Sequence, residues 1–307
     1  MHLRTRVAEL STQAGLAASK RLGSYCQGVR VRDWTGYLLI SALGYFLGAS
    51  LIGWTDYITF LTVVVTSSLF LAFAFLINNC YDIKSDVNQS TKLSKNPIAS
   101  GKMSQDEGIV LSCCLAGLGL IIALSGLDLL SKVVYVFLIA WGGTYSVPPV
   151  RLKGVPVVDV VSHGLALGSG LFLYGFLAAS GGSMTLQGFL VAISLFVYSM
   201  ILEVRNHISD LEADLISSTR TTVCWLGKRK SEQMLSLLTL LHTGALCALA
   251  YFTFQSFLLF FECVLFGSVV VLLIGDSDNG KGADMMSTMI YGLPAVSKVL
   301  TLILSFL

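Results

Sequence analysis

Two copies of one polar pattern interrupt an otherwise apolar chain, NNCYDIKSD at residues 78–86 and NHISDLEAD at residues 206–214. Each copy has one asparagine and two aspartates at intervals of four: Asn78, Asp82 and Asp86, then Asn206, Asp210 and Asp214. Positions four apart share a helix face, so each copy predicts a column of oxygen ligands. Like charges at this spacing destabilise a bare helix, and carboxylates near lipid are costly. Two matching columns therefore indicate a cation between them.

Hard oxygen ligands without paired histidine or cysteine suit Mg²⁺, which commonly takes one or two protein carboxylates and completes its shell with water and phosphate oxygens. Two facing columns would hold Mg²⁺ and, through it, a diphosphate. Two helix ends with solvated acids are the alternative, but the repetition of the asparagine as well as both aspartates favours a metal site. The candidate metal ligands are Asn78, Asp82, Asp86, Asp210 and Asp214.

Basic residues follow each column and also occur in a proline-containing segment, YSVPPVRLKGVPVVD, at residues 145–159. Lysine and arginine donate charge-assisted hydrogen bonds to phosphate oxygens, and arginine does so in a bidentate fork. Any one of these residues, taken alone, more often reflects only the positive charge of cytoplasmic loops. The candidate substrate-binding cations are Lys92, Lys95, Lys102, Arg151, Lys153 and Arg220.

The elements that carry these residues are predicted to be membrane helices. The chain has 307 residues, of which 54% are hydrophobic and 12% charged, whereas soluble domains carry about 25% charged residues. Its mean hydropathy is +0.76. Apolar runs long enough to span a bilayer predict nine helices, at about 34–53, 58–79, 108–126, 130–147, 157–179, 185–205, 236–254, 256–274 and 287–306. Residues 1–33 are predicted to form a basic segment on the membrane surface, and residues 34–307 a single membrane domain.

The distribution of positive charge predicts an orientation. Of the 20 Lys and Arg residues, six lie in the N-terminal segment, four between the second and third spans, and two between the fourth and fifth. Only Lys132 lies at the opposite face, and Lys298 lies inside the ninth span. Because positive loops stay in the cytoplasm, we expect the N-terminus and both Asp motifs on the cytoplasmic side and the C-terminus outside.

With these motifs, the chain resembles the UbiA superfamily of intramembrane prenyltransferases over nearly its full length. NPIASGKMS and YSVPPVRLK resemble the segments that accompany the Asp motifs in that family. The resemblance implies an all-α bundle of about nine transmembrane helices around a central cavity capped by cytoplasmic loops. It implies that the Asp motifs bind Mg²⁺ and the diphosphate of an isoprenyl donor. Lys153 and Arg220 would contact the diphosphate, and Tyr145 would lie near the reacting carbon. Asn79 stands where the family often has an aspartate.

The implied reaction is Mg²⁺-dependent transfer of an isoprenyl group to a lipophilic acceptor, through ionisation of the allylic C–O bond. An isoprenoid cyclase using the same ionising site and a transporter remain alternatives, although transporters often place charges at mid-membrane. Asp159 and His163 share a helix face and predict either an acid/base pair on the acceptor side or a satisfied buried hydrogen bond. We expect membrane lipid around the protein and no nucleic-acid partner. The acceptor, the donor chain length and the oligomeric state stay open.

Overall fold

A computed structural model describes residues 19, 21–53, 55–249 and 251–252. All regular structure in these residues is helical. In chain order the elements are α1 (21–29), α2 (Val31–Ile52), α3 (Tyr57–Tyr81), α4 (Ile83–Asp86), α5 (Ser90–Lys95), α6 (Gln105–Gly126), α7 (Leu129–Ser146), a 3₁₀ turn (Leu152–Gly154), α8 (Val158–His163), a π-helical segment (Gly164–Gly170), α9 (Leu171–Ser180), α10 (Leu186–Ile216), α11 (Thr222–Leu226) and α12 (Lys228–Leu249).

Seven of the described helical stretches are long and apolar enough to cross a membrane. They are α2, α3, α6, α7, the continuous stretch Val158–Ser180, α10 and α12. This confirms the predicted all-helical membrane architecture, and the first five predicted spans agree closely with the observed helices. The sixth, predicted at 185–205, starts as expected but continues to Ile216 and so includes the second Asp motif. The seventh begins at Lys228 rather than near residue 236, so the basic run 228–230 is the first turn of a helix and not a loop. The predicted spans 256–274 and 287–306 and residues 1–18 lie outside the described residues.

Side-chain caps fix where several of these helices begin. Asp56 accepts a hydrogen bond from the backbone N–H of Ile58 at the start of α3, and Asp128 does the same for two amides of α7. Ser104 and Glu107 form a reciprocal capping box at the start of α6. Each cap satisfies an N–H group that has no partner within the helix. Short polar residues between apolar runs therefore set the ends of the spans.

Glycines allow two pairs of helices to approach closely. A Cβ added at Gly44 of α2 would lie 2.1 Å from the carbonyl oxygen of Phe172 in α9. In the opposite direction, a Cβ added at Gly175 of α9 would lie 2.0 Å from the carbonyl oxygen of Ser41 in α2. In the π-helical segment, a Cβ at Gly168 would lie 2.4 Å from the carbonyl oxygen of Leu195 in α10. Small residues of this kind let backbones touch in membrane proteins, where packing replaces the hydrophobic effect.

Large apolar side chains occur both in the interior and on the outer surface of the bundle. Phe70, Tyr135 and Phe172 belong to a core that is fully buried between the helices. Large apolar side chains such as Leu61 and Ile121 are more than half exposed on the outside. Such an apolar exterior is unfavourable in water and fits contact with lipid chains, as expected for a multi-pass membrane protein.

Candidate active site

The two Asp motifs lie at the same end of the helix bundle. α4, which contains the end of the first motif, contacts α10, which contains the second. Side chains beside the first motif reach the second directly: the Gln89 amide donates to Asp210 at 3.2 Å, and the Lys92 ammonium contacts the same carboxylate at 2.5 Å. Residues about 120 positions apart in sequence are therefore brought into one polar cluster.

The two motifs differ in backbone conformation, so the expectation that each forms a continuous helical column holds only for the second. The second motif lies wholly within α10, as a continuous helical column. In the first, α3 ends at Tyr81, and Asp82 is its C-terminal cap with φ −96° and ψ 11° before the single turn of α4. Backbone bonds still link Asp82 N to the Asn78 carbonyl and Asp86 N to the Asp82 carbonyl, both at 2.9 Å. The first column is therefore interrupted at Asp82, although its order is kept.

Asp82 is 6% exposed and is paired with both basic residues of the proline-containing segment. Arg151 donates to one carboxylate oxygen at 3.1 Å, and the Lys153 ammonium makes a closer contact with the other. Burial alone would lower the pKa of Lys153, but the Asp82 carboxylate, with smaller contributions from Asp214 and Glu203, raises it above its ordinary value. Lys153 therefore remains a cation among carboxylates at neutral pH.

The segment that presents these two cations has an unusual backbone. Arg151 has φ 37° and Val157 has φ 71°, and positive φ at a β-branched residue is rare and costly. The Val157 N–H donates to the Thr222 hydroxyl at 2.6 Å, which ties the end of the segment to α11. This conformation fixes Lys153 between the two constrained positions, directly over Asp82.

Asp86 and Asp214 complete the cluster, and both are buried. Burial raises the pKa of Asp86, while a hydrogen bond from the Asn96 amide at 2.8 Å opposes that effect. The Asp214 carboxylate, only 4% exposed, makes no hydrogen bond or ion pair with any residue that the structure describes. Lys153, His207 and Lys92 act on its charge only without direct contact. A buried carboxylate that lacks a hydrogen bond is energetically unfavourable, so this site favours the arrival of a cation.

The donor set fits Mg²⁺ in one particular mode. No group of three or more His, Cys, Asp or Glu side chains in the described residues is arranged to hold a metal by protein ligands alone. Mg²⁺ usually takes one or two carboxylates and retains water or phosphate oxygens. Asp214 and the other motif carboxylates supply that number and type of ligand, and phosphate oxygens would have to complete the shell.

Several predicted substrate-binding residues lie elsewhere. Lys95 pairs with Asp33 of α2 at 2.9 Å. Lys102 lines a surface depression beside α1, and Arg220 is exposed after α10. Asn206 is exposed, with its amide 3.5 Å from Glu203. The side chains of Asn78, Lys102 and Arg220 make no hydrogen bond or ion pair within the described parts of the chain.

The predicted pairing of Asp159 with His163 does not form. Asp159 accepts hydrogen bonds from the backbone N–H of Thr222 at 2.6 Å and from the Thr222 hydroxyl. His163 instead contacts the Ser199 hydroxyl at 2.9 Å and Glu203 at 3.3 Å. The i, i+4 spacing put both on one face, but neighbouring helices supplied better partners. The predicted alternative, satisfied buried hydrogen bonds, is what the structure shows.

Two buried residues near the site have partners that the sequence did not reveal. Glu203 accepts a hydrogen bond from Tyr145 at 2.6 Å, and His207 lies 3.1 Å from the same carboxylate. The signal available in the sequence was the spacing of four between Glu203, which lies just before the second motif, and His207, which lies inside it. Asn79, whose role was open, donates to the Gly28 carbonyl at 3.0 Å and thereby ties α3 to α1.

Comparison with known proteins settles the family. A model of the UbiA prenyltransferase family matches residues 37–289. The chain belongs to this family. The digeranylgeranylglyceryl phosphate synthase of Saccharolobus solfataricus is 27% identical over 222 residues, which cover 72% of this chain and 74% of that protein. The lycopene elongase/hydratase of Halobacterium salinarum is 28% identical over a match that covers 66% of this chain and 72% of that protein. The predicted membrane prenyltransferase is thus confirmed at the level of the family.

Solved structures of UbiA homologues share the fold. A homologue from Archaeoglobus fulgidus, bound to GPP and Mg²⁺, has a TM-score of 0.71 and 20% identity, with 89% of this chain and 99% of that chain covered. An apo homologue from Aeropyrum pernix K1 has a TM-score of 0.67 and 14% identity, and the match covers 85% of this chain and 98% of that chain. The order of elements in this chain is therefore that of a UbiA bundle.

Proposed function

We propose that this UbiA protein transfers an isoprenyl group from a prenyl diphosphate to a lipophilic acceptor in the membrane. The observation that carries the proposal is the meeting of the two Asp motifs at one end of the bundle, with Lys92 and Lys153 between their carboxylates. Acids that bind Mg²⁺ alternate there with cations that bind phosphate. A diphosphate needs both kinds of partner.

Each basic group has a distinct part in this proposal. In the structure, Lys153 and Arg151 neutralise Asp82, and Lys92 neutralises Asp210. The same N–H donors can turn to the oxygens of an entering diphosphate, while Asp82 and Asp210 become available to a cation. Bound Mg²⁺ would supply further charge neutralisation for the leaving diphosphate. The chain's own cations then stabilise charge that develops on the departing oxygen.

The class of acceptor is inferred from the relatives of this chain rather than from the geometry of the site. The relatives named above are a digeranylgeranylglyceryl phosphate synthase and a lycopene elongase/hydratase. Their names imply a glyceryl phosphate lipid in one case and a polyene in the other. We therefore assign the acceptor only as a lipophilic molecule that enters beside the donor from the membrane.

The test is a product assay on the full chain in liposomes. The protein is incubated with Mg²⁺, geranyl or geranylgeranyl diphosphate, and each of three acceptors: a singly prenylated glyceryl phosphate, lycopene and 4-hydroxybenzoate. Mass spectrometry should find a product containing both molecules, and EDTA should prevent it. Asp210→Asn should lower the rate by about 100-fold or more, the scale of a lost transition-state electrostatic contact.

Glu212→Gln is the matched control for Asp210→Asn. Glu212 lies on the same helix, two residues further on, and is exposed. Its loss should leave the rate unchanged. Conversion of the donor alone into a cyclic hydrocarbon would favour the cyclase alternative. Equal turnover by wild type and Asp210→Asn, or full turnover in EDTA, would exclude the proposed site.

A further inference from the structure

A second polar cluster lies just inside the bundle from the Asp motifs, and the charge-neutralising scheme above does not use it. Its centre is Glu203 of α10, which is 6% exposed. Tyr145 of α7 donates to Glu203 Oε1 at 2.6 Å. His163 Nε2 lies 3.3 Å from Oε2, and His207 Nε2 lies 3.1 Å from Oε1. Three helices thus direct one hydroxyl and two imidazoles at a single buried carboxylate.

His207 is poorly satisfied in this arrangement. Besides its contact with Glu203, its Nδ1 lies 3.5 Å from Asp159 Oδ2. Neither ring nitrogen makes a well-directed hydrogen bond in the described part of the chain, although the residue is only 3% exposed. Asp159 is already held by Thr222 and by the Val160 N–H at 2.8 Å. A purely structural histidine would normally have its N–H groups paired, whereas hydrogen bonds do not fix the tautomer or charge of His207.

The cluster adjoins the candidate diphosphate site. Lys153, which contacts Asp82, is also within electrostatic reach of Asp214 and Glu203. Tyr145 is likewise within reach of Asp82 and Asp159. The Tyr145 hydroxyl therefore bonds to Glu203 while lying within electrostatic range of Asp82 in the first motif.

Prenyl transfer to an O–H or aromatic C–H acceptor has to dispose of one proton. The donor's C1–O bond breaks, and its electron pair leaves with the diphosphate. A lone pair or π pair of the acceptor forms the new bond to C1, after which the acceptor must lose its proton. At a buried site the nearest proton acceptor is a side chain rather than bulk water.

We propose that Glu203 takes up this proton through the Tyr145 hydroxyl and shares it with His207. The acceptor's proton passes to Tyr145 Oη as the Tyr145 proton passes to Glu203 Oε1. His207 then receives it from Glu203, and Asp159 stabilises the imidazolium by its negative charge. The inference rests on the proposed prenyl transfer and extends it to the second half of the reaction.

The charge state of Glu203 depends on groups from every element packed against it. These are Tyr37 of α2, Tyr145 of α7, Lys153 of the 3₁₀ turn, Asp159 and His163 of α8, and His207 of α10 itself. Transfer should require the cluster to be able to accept a proton. The transfer rate of the wild type should therefore fall as the pH is lowered.

The decisive experiment separates ionisation from proton removal. Full-length wild type, Glu203→Gln and His207→Gln are reconstituted with Mg²⁺ and geranyl diphosphate carrying ¹⁸O in the bridging position. Movement of ¹⁸O to non-bridging positions, without acceptor, reports reversible C–O cleavage. Product formation with the acceptor panel reports transfer. We expect Glu203→Gln to keep the isotope exchange and to lose transfer by about 100-fold or more, the range of general acid–base effects.

Two further variants distinguish a proton acceptor from a structural ion pair. Glu203→Asp should partly restore transfer and its low-pH decline, which Glu203→Gln should lack. His242→Gln, at a buried histidine of α12 that contacts the Ser194 carbonyl at 3.1 Å, should leave transfer unchanged. Equal transfer by wild type and Glu203→Gln would overturn the inference, as would a Glu203→Gln protein that has lost isotope exchange together with transfer. Absence of a transfer product from the wild type with every acceptor would instead overturn the proposed function itself.

Discussion

Asp82 and Asp210 hold equivalent places in the two motifs but differ in how the backbone presents them. Asp82 is a helix cap held by two cations, whereas Asp210 projects from the C-terminal part of α10 and meets one. A cap position lets the chain turn into α4 and aims Asp82 at the Lys153 segment. The repetition in sequence thus yields two non-identical halves of one site.

Asp86 should show a conflict between stability and function. Burial raises its pKa, so folding disfavours its charged form above the ordinary pKa of an aspartate. Asp86→Asn keeps an acceptor for the Asn96 amide and removes the charge. We expect a higher melting temperature in EDTA at pH 7.5, with about 2–4 °C for each kcal/mol gained, together with a loss of prenyl transfer.

The direction of the pKa shift of Asp86 determines how the stability of the wild type should change with pH. The folded protein binds more protons at Asp86 than the unfolded chain, so wild-type stability falls as pH rises from the ordinary to the raised pKa. The stability difference between variant and wild type should therefore be full above the raised pKa and vanish below the ordinary one. Melting curves of both proteins between pH 4 and 8 (a range set by ordinary carboxyl values of about 4) measure this. A constant difference, or a less stable variant at pH 7.5, would contradict it.

At the level of single residues, the spacing in the sequence predicted the order of the motif side chains, but it did not predict which side chains pair with each other. The interval of four was enough to place the motif carboxylates in order, because helix geometry is local. The partner of a long cation is decided by tertiary contact: Lys95 meets Asp33, 62 residues away, instead of the site. Likewise, Asp159 accepts a hydrogen bond from Thr222, and His163 contacts Glu203 instead of Asp159. No local pattern in the sequence carries that information.

The elements around the site depend on close contact between α2 and α9. Gly44 and Gly48 are four residues apart on α2, and a Cβ at either would lie 2.1 or 2.3 Å from a backbone carbonyl oxygen of α9. Backbone atoms cannot move aside as a flexible side chain can. α2 also provides Tyr37, whose ring lies 5.8 Å from that of His163. The packing of this helix pair therefore supports the buried cluster.

Gly44→Ala should destabilise the bundle by about 1–3 kcal/mol, the usual cost of overpacking. Gly36→Ala is the matched control on the same helix, because a Cβ there meets nothing within 4 Å. An added methyl at an open helical site should be neutral or stabilise by about 0.5–1 kcal/mol. Thermal unfolding in detergent should thus move the two variants in opposite directions. Equal melting temperatures would argue against the α2–α9 contact.

The sequence anticipated these elements unevenly. Hydropathy predicted the spans well, because a bilayer demands long apolar helices whatever their packing. It missed the start of α12 by about two turns, since the polar first turns of that helix, from Lys228 onward, have no lipid-like signal. The break at Asp82 and the π-helical segment were also unpredicted, because hydropathy does not distinguish an interrupted or π-helical turn from a regular one.

Across the whole molecule, the polar site and the basic residues collect at one end of the bundle. Lys84, Lys92, Arg151 and Lys153 lie beside the Asp motifs, whereas the opposite end carries the caps Asp56, Asp128 and Thr185. This charge difference is the basis for predicting that the site faces the cytoplasm. The predicted orientation fits the proposed chemistry, because the diphosphate that leaves the donor is soluble in water.

Cysteine labelling from outside intact cells tests this orientation. All seven native cysteines are first replaced, because Cys26, Cys113 and Cys114 are exposed. A single cysteine is then introduced at an exposed position at each end: Ser183→Cys, beside the start of α10, and Lys230→Cys, in the first turn of α12. A membrane-impermeant maleimide should label Ser183→Cys and should reach Lys230→Cys only after permeabilisation, because the positive end remains cytoplasmic. The reverse pattern would place the Asp motifs outside the cytoplasm, and labelling of both positions in intact cells would mean that the protein inserts in two orientations.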